Sequence, residues 1–426
     1  MGPYHLALLV ICQDVAFALA GPFWGSLADN GFPRKTLLCL GAGGWSLLSL
    51  TLAFVSTFEM MAILRCMNGT MLGMLVPIVQ SIVADESEVR DRGYNFGWID
   101  MCNKAIGQTV AIFAVTSMSN MTIFGMDGWR VAFLAVGVLS LVLALAVALL
   151  MQEKPRSWKP ERVGIIVEAK KFMGYFQIPT FNVISLQGMF GTIPYAAMTF
   201  GTMYFQYRGL LDWQAAIVMG TLSIGGGLGS MVGGIIGDKM HRYSSTHGRP
   251  MTAQLSVLLG IPIVYVTFTC HPPPGSRVHV LAGLVFMLGL VCSWCSAGCN
   301  KPIFLEIIPK DSVASAMAWQ SCLEHACGHF IGPMAVGYIS EQVFSYSIET
   351  EQVSSMTPVV QEHNANSLGN AIAISTVLPW IACFCLYGFL HITYTLDNNN
   401  CVLPADDAIN DDIAGASIDE TTKLLF

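Results

Sequence analysis

The chain has 426 residues, of which 54% are hydrophobic and only 12% are charged. Soluble domains carry about 25% charged residues, so the composition excludes an ordinary soluble enzyme or binding module and points to an all-α polytopic membrane protein in contact with lipid. The formal net charge of −7 offers nucleic acid no basic surface, and acidic residues gather in the tail at Asp406, Asp407, Asp411, Asp412, Asp419 and Glu420.

A membrane-spanning helix needs about 20 apolar residues. Such stretches fall near 4–26, 36–56, 59–83, 94–118, 129–151, 181–205, 212–236, 251–270, 278–300, 313–340 and 369–396, about eleven helices in all. No basic segment precedes the first apolar run, so a cleavable signal peptide is not expected. The stretch 152–180 is basic and polar and contains Pro155, Pro160 and Pro179. It separates residues 1–151, a bundle of five helices, from residues 181–396, a bundle of six, and residues 397–426 form an acidic, solvated tail.

The first span carries Asp14 and ends in Gly25-Ser-Leu-Ala-Asp29-Asn-Gly31, followed by Arg34 and Lys35. The seventh repeats the pattern as Gly234-Ile-Ile-Gly-Asp238-Lys239, with Arg242 and then Gly248-Arg249-Pro250 closing the loop. One helix-loop signature in each half predicts two repeated bundles, as in many secondary transporters. Asp29, at a helix end, can accept hydrogen bonds from basic side chains or from the first amides of a neighbouring helix. Arg34, Lys35, Arg90 and Arg92 are the nearest candidates, and Asp238 is the second copy.

Basic residues concentrate in one set of loops: Arg34, Lys35, Arg90, Arg92, the 152–180 linker, Lys239, Arg242, Arg249 and Lys310. That set is therefore assigned to the cytoplasm, together with the linker and the tail. The N-terminus then starts on the far side, and a further helix before Met1 is the simplest way to restore even parity.

Charges at mid-membrane depth face a cavity or a partner. Arg65 lies in the third span, with Asp14 as a candidate partner across bundles. Lys104 lies ten residues beyond Tyr94, about 15 Å along a helix. Asp100, one turn earlier, is placed to neutralise it. Glu324 and His325 lie near mid-membrane in the tenth span, with His329 one turn beyond His325; a desolvated carboxylate or an imidazole there could carry a coupling proton, or join helices by polar contact. Gly225, Gly229, Gly233 and Gly237 form a stripe that lets helices approach closely. Cys292, Cys295 and Cys299 share a face, where close packing in lipid is favoured over a metal site. No nucleophile or phosphate loop stands out, so neither enzyme activity nor a cofactor is expected.

The two helix-end signatures identify the chain as resembling the major facilitator superfamily from about residue 4 to 396. More narrowly it is similar to the Spinster-like group and its plant and protist relatives, through Arg65-Cys-Met-Asn68-Gly69, Pro77-Ile-Val-Gln-Ser81-Ile-Val-Ala-Asp85, Arg92-Gly93, Phe96-Gly97-Trp98, Gly128-Trp129-Arg130, Pro302-Ile-Phe-Leu-Glu306 and Ser321-Cys-Leu-Glu324-His325. The loop after Asp29 departs from the pattern, with Asn30 where a basic residue is usual and its glycine displaced to Gly31. The resemblance implies a fold of two helical bundles whose first helix is missing here, with contacts at Asp29 locking an outward-facing state. It implies a secondary-active or facilitative transporter working by alternating access. The expected solute is small and organic, anionic or amphiphilic, with a lysophospholipid or sphingoid-type lipid as specific candidates and protons as a coupling ion. Arg65 matches the superfamily's helix 4 arginine. The missing helix leaves open a transport-inactive sensor or scaffold.

The chain ends in Glu420-Thr-Thr-Lys-Leu424-Leu425-Phe. An acidic residue four places before a dileucine resembles an adaptor-binding sorting signal for endolysosomal or vacuolar membranes, with the plasma membrane as the alternative. Asn120-Met-Thr122 is a glycosylation sequon on the non-cytoplasmic side.

Overall fold

The computed structural model describes residues 3–109, 111, 122–123, 125–152, 170, 172–309, 312–347 and 356–422. They are almost entirely helical; a two-residue antiparallel pairing joins Thr122–Ile123 to Met126–Asp127. In the first half, α1 (Pro3–Asp29), α2 (Arg34–Leu52), α3 (Phe58–Glu86), α4 (Arg92–Met101) and α5 (Gly128–Leu150) correspond to the first five expected spans. In the second half, α6 (Pro179–Ala197) passes through one turn of 3₁₀ helix into α7 (Gly201–Tyr207). There follow α8 (Asp212–Tyr243), α9 (Gly248–Thr269), α10 (Arg277–Cys292), α11 (Lys301–Ile307), α12 (Val313–Tyr338) and α13 (Pro358–Thr422).

Seven helical stretches among the described residues are long and apolar enough to cross a membrane, fewer than the eleven expected. They include α2, α3, α5, α8, α9, the continuous Arg277–Ile307 segment and Pro358–Asp397 of α13. The expected spans 4–26 and 313–340 are also helical, as α1 and α12, and 181–205 is helical with one 3₁₀ turn inside it; 94–118 is described only as far as 109 and at 111. Large apolar side chains point outward, as a lipid solvent requires. On α5, Val138, Leu139, Val142 and Leu143 are exposed while Gly137, Ser140 and Ala144 face inward. Hydrogen bonds within each helix satisfy the backbone where lipid offers no partner.

Two spans differ from their sequence reading in ways that matter for the site. The expected span 94–118 starts at Arg92 and changes to π winding over Cys102–Gln108. The expected span 278–300 does not stop at 300. It breaks at Ser293, resumes as a π turn over Ser296–Asn300 and continues through Ile307. Lys301 thus lies inside a spanning element rather than beyond its end.

The linker's described end is packed rather than loose. Phe172 and Tyr175 are buried, and Phe172 stacks on Trp319 with ring centres 5.1 Å apart. Aromatic residues at 172, 175 and 176 share one helical face, which explains the packing. At its apolar limit α13 uses Asp397, whose Oδ2 accepts the Thr180 N–H at 2.9 Å, to cap α6. Helical backbone continues to Thr422, where the sequence suggests an irregular tail.

The glycine stripe behaves as its spacing predicts. A Cβ at Gly225, Gly229, Gly233 or Gly237 would strike the backbone of Phe286, Leu290, Trp294 or Gly298 respectively. Missing side chains let α8 lie directly on α10 and its continuation. A second glycine face of α8 meets the first half: a Cβ at Gly227 would lie 2.6 Å from Ala105 Cβ.

Candidate functional site

Two helix ends meet two helix starts across the halves. α12 begins at Val313, and α4 begins at Arg92. Neither Ser312 nor Asp91 caps its own helix with its side chain. The first amides of each helix therefore need an external acceptor. Asp29, 4% exposed, supplies it for α12: its carboxylate accepts the N–H groups of Ala314 at 3.3 Å and Ser315 at 2.7 Å. Asp238, 2% exposed, does the same for α4, accepting from Gly93 at 3.1 Å and Tyr94 at 2.7 Å. A carboxylate at a helix N-terminus gains both charge-assisted bonds and the favourable end of the helix dipole.

The glycine four residues before each aspartate makes this approach possible. A Cβ at Gly25 would lie 2.7 Å from Ala314 O and 2.8 Å from Ser315 Cα. A Cβ at Gly234 would collide with the Gly93 carbonyl. The Gly-x-x-x-Asp spacing thus combines a contact surface with a cap on the same helix face.

Arg249 stands behind the Asp238 cap, and Arg34 follows Asp29 along the chain. Arg249, fully buried, has Nη1 3.1 Å from Asp238 Oδ1 and Nε 3.9 Å from Glu306 Oε1. It also donates to Gly298 O at 3.3 Å and Val89 O at 3.2 Å, and the Tyr394 hydroxyl donates to Glu306. Arg34 pairs with Asp85 at 2.6 Å. Arg90 sits at the surface, 3.6 Å from Asp91, which also pairs with Arg242 at 3.0 Å. Lys35 is half-buried. Arg92 is buried in the field of Glu306, with its Nε lacking a hydrogen-bond partner among the described residues. Arg249 and Glu306 are functional candidates that sequence reading did not single out; they lie far apart along the chain, and only folding joins them.

Between the halves lies a cavity of about 400 Å³ lined by Gln80, Asp100, Lys104, Gln187, Gly188, Tyr195, Lys301, Gln320, Glu324, His325 and Trp380. Asp100 pairs here, but not as the sequence suggests. Its Oδ1 lies 2.9 Å from Lys301 Nζ of the second half, while Lys104 donates to Ser230 Oγ at 3.3 Å. The π turn after Met101 rotates Lys104 away from the position that ordinary α winding would give it. Glu324 accepts a hydrogen bond from Gln320 at 2.9 Å and lies against Gly188, where any side chain would collide with it. His325 Nδ1 lies 2.8 Å from Ser321 O, and its ring packs against Phe17 of the first half. Cys292 and Cys295 line the cavity, and Cys299 is buried.

Residues 3–333 match the family described as Major Facilitator Superfamily. The chain belongs to the major facilitator superfamily. Members related to it include a hexuronate transporter of Bacillus subtilis, 23% identical over 80% of this chain and 81% of that protein. The quinolone resistance protein NorA of Staphylococcus aureus is 30% identical over 22% of this chain, and the alignment spans only 24% of NorA. In fold, the chain is similar to a bacterial homolog of the human lysosomal transporter Spinster, solved inward-facing both unoccupied and occupied. Its TM-score is 0.60 at 16% identity, covering 93% of this chain and 99% of that one. The molecule thus has the all-α, multi-pass architecture of superfamily proteins.

Asp14 and Arg65 meet differently from the cross-bundle pairing suggested by sequence. Both belong to the first half, on α1 and α3, which pack along one another. Arg65 is held within that half: its Nη1 donates to Gln13 Oε1, its guanidinium lies 5.0 Å from the Phe133 ring centre, and Asp14 is within electrostatic reach. Neither lines the cavity. Asn120, Leu424 and Leu425 lie outside the described residues, and the side chains of His329 and Glu420 are likewise not described.

Proposed function

We propose that this superfamily member is a transmembrane transporter moving a small organic solute by alternating access. The observation that carries this reading is a charged cavity between the halves, sealed at the basic-loop end by two reciprocal aspartate caps. Breaking both caps would open that end without unfolding either half, as rocking of one bundle against the other requires. The division into bundles at 1–151 and 181–396 belongs to the same proposal. Kinship with a hexuronate transporter supports an anionic cargo, and the Spinster-like strings in the sequence support an amphiphilic, lysolipid-like one.

Glu324 is the proposed proton carrier, because its carboxylate lines the cavity, packed against Gly188 and bonded by Gln320 rather than by a cation. The test is uptake of an anionic and lysolipid solute panel into proteoliposomes, with and without a pH gradient. Wild-type protein should accumulate one class of solute, and Glu324→Gln should keep downhill exchange while losing pH-driven accumulation. Pumping that survives in Glu324→Gln excludes Glu324 as the carrier; absence of uptake under every condition favours a sensor or scaffold instead. The acidic dileucine end supports an endolysosomal or vacuolar address read by sorting adaptors. Leu424→Ala with Leu425→Ala should move an internally tagged copy to the cell surface, and an unchanged distribution rejects that address.

A further inference from the structure

The cavity is lined by two ammonium groups, one from each half of the chain, and by two carboxylates, of which Asp100 is ion-paired and Glu324 accepts from Gln320. Lys301 opens α11 in the second half and reaches α4, where its Nζ lies 2.9 Å from Asp100 Oδ1 and 5.3 Å from the centre of the Phe96 ring, one turn earlier. Lys104, from α4's π segment, points the other way. Its Nζ donates to Ser230 Oγ on α8 at 3.3 Å and lies 5.9 Å from the Tyr195 ring centre on α6. Asp100 feels both positive charges. All three groups line the same 400 Å³ space.

We propose that Asp100 is a resident substitute for the solute's anionic group: it occupies the place beside Lys301, in the same cavity as Lys104, that a solute carboxylate or phosphate takes, and the solute displaces it. This rests on the transporter reading and names the chemistry of its cargo. Two ammonium groups brought into a partly dry cavity repel each other and lose hydration. A carboxylate offsets both costs, so the halves can close around an empty cavity. Remove that carboxylate, and closure requires an anion from solution. Asp100 then decides whether an unloaded carrier can change state, while the two lysines select a solute with a negative head. The lysines come from different halves, so an anion bound to both also ties the halves together.

Purified full-length protein in lipid nanodiscs tests this whichever solute the protein carries. Hydrogen exchange at the Tyr94 and Ser315 amides reads closure directly, because both donate to the aspartate latches. Asp100→Ala should raise their exchange about tenfold, between the small loss of an exposed pair and the larger loss of a fully buried one, since the Lys301 and Asp100 side chains are 19% and 13% exposed. Acetate or inorganic phosphate, filling the vacated place, should return exchange towards the wild-type rate; acetamide, of the same size as acetate but neutral, should not. The two anions tested separately distinguish a carboxylate-type from a phosphate-type head. Adding Lys301→Met to Asp100→Ala should remove the anion rescue. Exchange unchanged in Asp100→Ala, equal effects of acetate and acetamide, or rescue that persists without Lys301 would each overturn the proposal. Should Asp100→Ala fail to fold, Asp100→Asn must show the same rise in exchange, and its absence overturns the proposal equally. Anion rescue in a protein that transports nothing in liposomes would leave this site standing and remove the transporter reading; transport without anion rescue would do the reverse.

Discussion

The two aspartate latches share a local design and differ in what stands behind them. Each uses a Gly-x-x-x-Asp helix end to cap the second and third residues of a helix in the opposite half. Behind Asp238, Arg249 is fully buried and bonds the aspartate at 3.1 Å, with Glu306 3.9 Å beyond. In the corresponding place after Asp29, Arg34 bonds Asp85 at 2.6 Å, and the Asp85 side chain is 26% exposed. The order of elements is the same in both, an aspartate, an arginine opening the next helix, and a carboxylate at the end of a later one. The second copy keeps its charges dry, and the first leaves part of the pair in solvent. A desolvated pair is costly to assemble and worse to half-dismantle, whereas a partly wet pair loses little when broken.

Removing the arginine of each copy should expose that difference most strongly. Arg249→Met removes the buried cation shared by Asp238 and Glu306, leaving Glu306 only the field of Arg92, and should cost about 3 kcal/mol or more. Arg34→Met should cost about 1 kcal/mol, since water can solvate Asp85. Thermal unfolding in detergent measures both, and equal losses would erase the distinction between a dry and a wet latch.

The glycines come next. Gly234→Ala drives a methyl group into the Gly93 carbonyl, and Gly25→Ala drives one into the Ala314 carbonyl and Ser315 backbone. Neither obstacle is a flexible side-chain end, so each substitution should hold its seam open. Exchange of the Tyr94 amide should accelerate in the first mutant and of the Ser315 amide in the second, by about tenfold each. A mutant that speeds exchange at both latches equally would mean that the two seams open as one.

Weaker effects are expected from the aspartates themselves, because asparagine retains one acceptor. Asp29→Asn and Asp238→Asn should each cost about 1–2 kcal/mol of closure, slow turnover and preserve membrane insertion. The loss should be greater at Asp238, where Arg249 is left facing Glu306 alone. Uptake rates in proteoliposomes rank the two, and unchanged turnover in Asp29→Asn would remove its gating role. Arg90→Gln should serve as the lower bound, since its pairing with Asp91 is at the surface and such pairs change stability by about 0–1 kcal/mol.

The latches were readable because the chain writes them twice, and a repeated Gly-x-x-x-Asp at a helix end carries its own physical rationale. Their acceptor role towards neighbouring amides followed from helix-end chemistry. What the sequence hid were the partners. Asp100 and Lys104 stand one turn apart on paper, but π winding starts two residues after Asp100 and turns the lysine elsewhere. Lys301 follows an apolar run that seems complete by Asn300 and precedes Pro302, so it reads as a residue beyond the membrane. The break at Ser293 and the π turn after it use up length, and the spanning element continues to Ile307. Asp14 and Arg65 could be ranked as intramembrane charges from sequence, and the expected bundle 1–151 already held both; the packing of α1 against α3 adds Gln13 as the acceptor for Arg65. Linear spacing predicts a face while winding is regular, and it fails where winding changes.

The bare faces of α8 also bear on how fast the halves can part. Gly227 and Gly234 place the α8 backbone against α4, while Gly225, Gly229, Gly233 and Gly237 place it against α10. Burying an ordinary long side chain at such a seam would freeze its rotamers, costing up to about 2 kcal/mol for each one immobilised on closure and returning the same amount on opening. Glycine has no rotamers to freeze. If the halves part as proposed, the seam between α8 and α4 would make and break contact with little change in side-chain entropy.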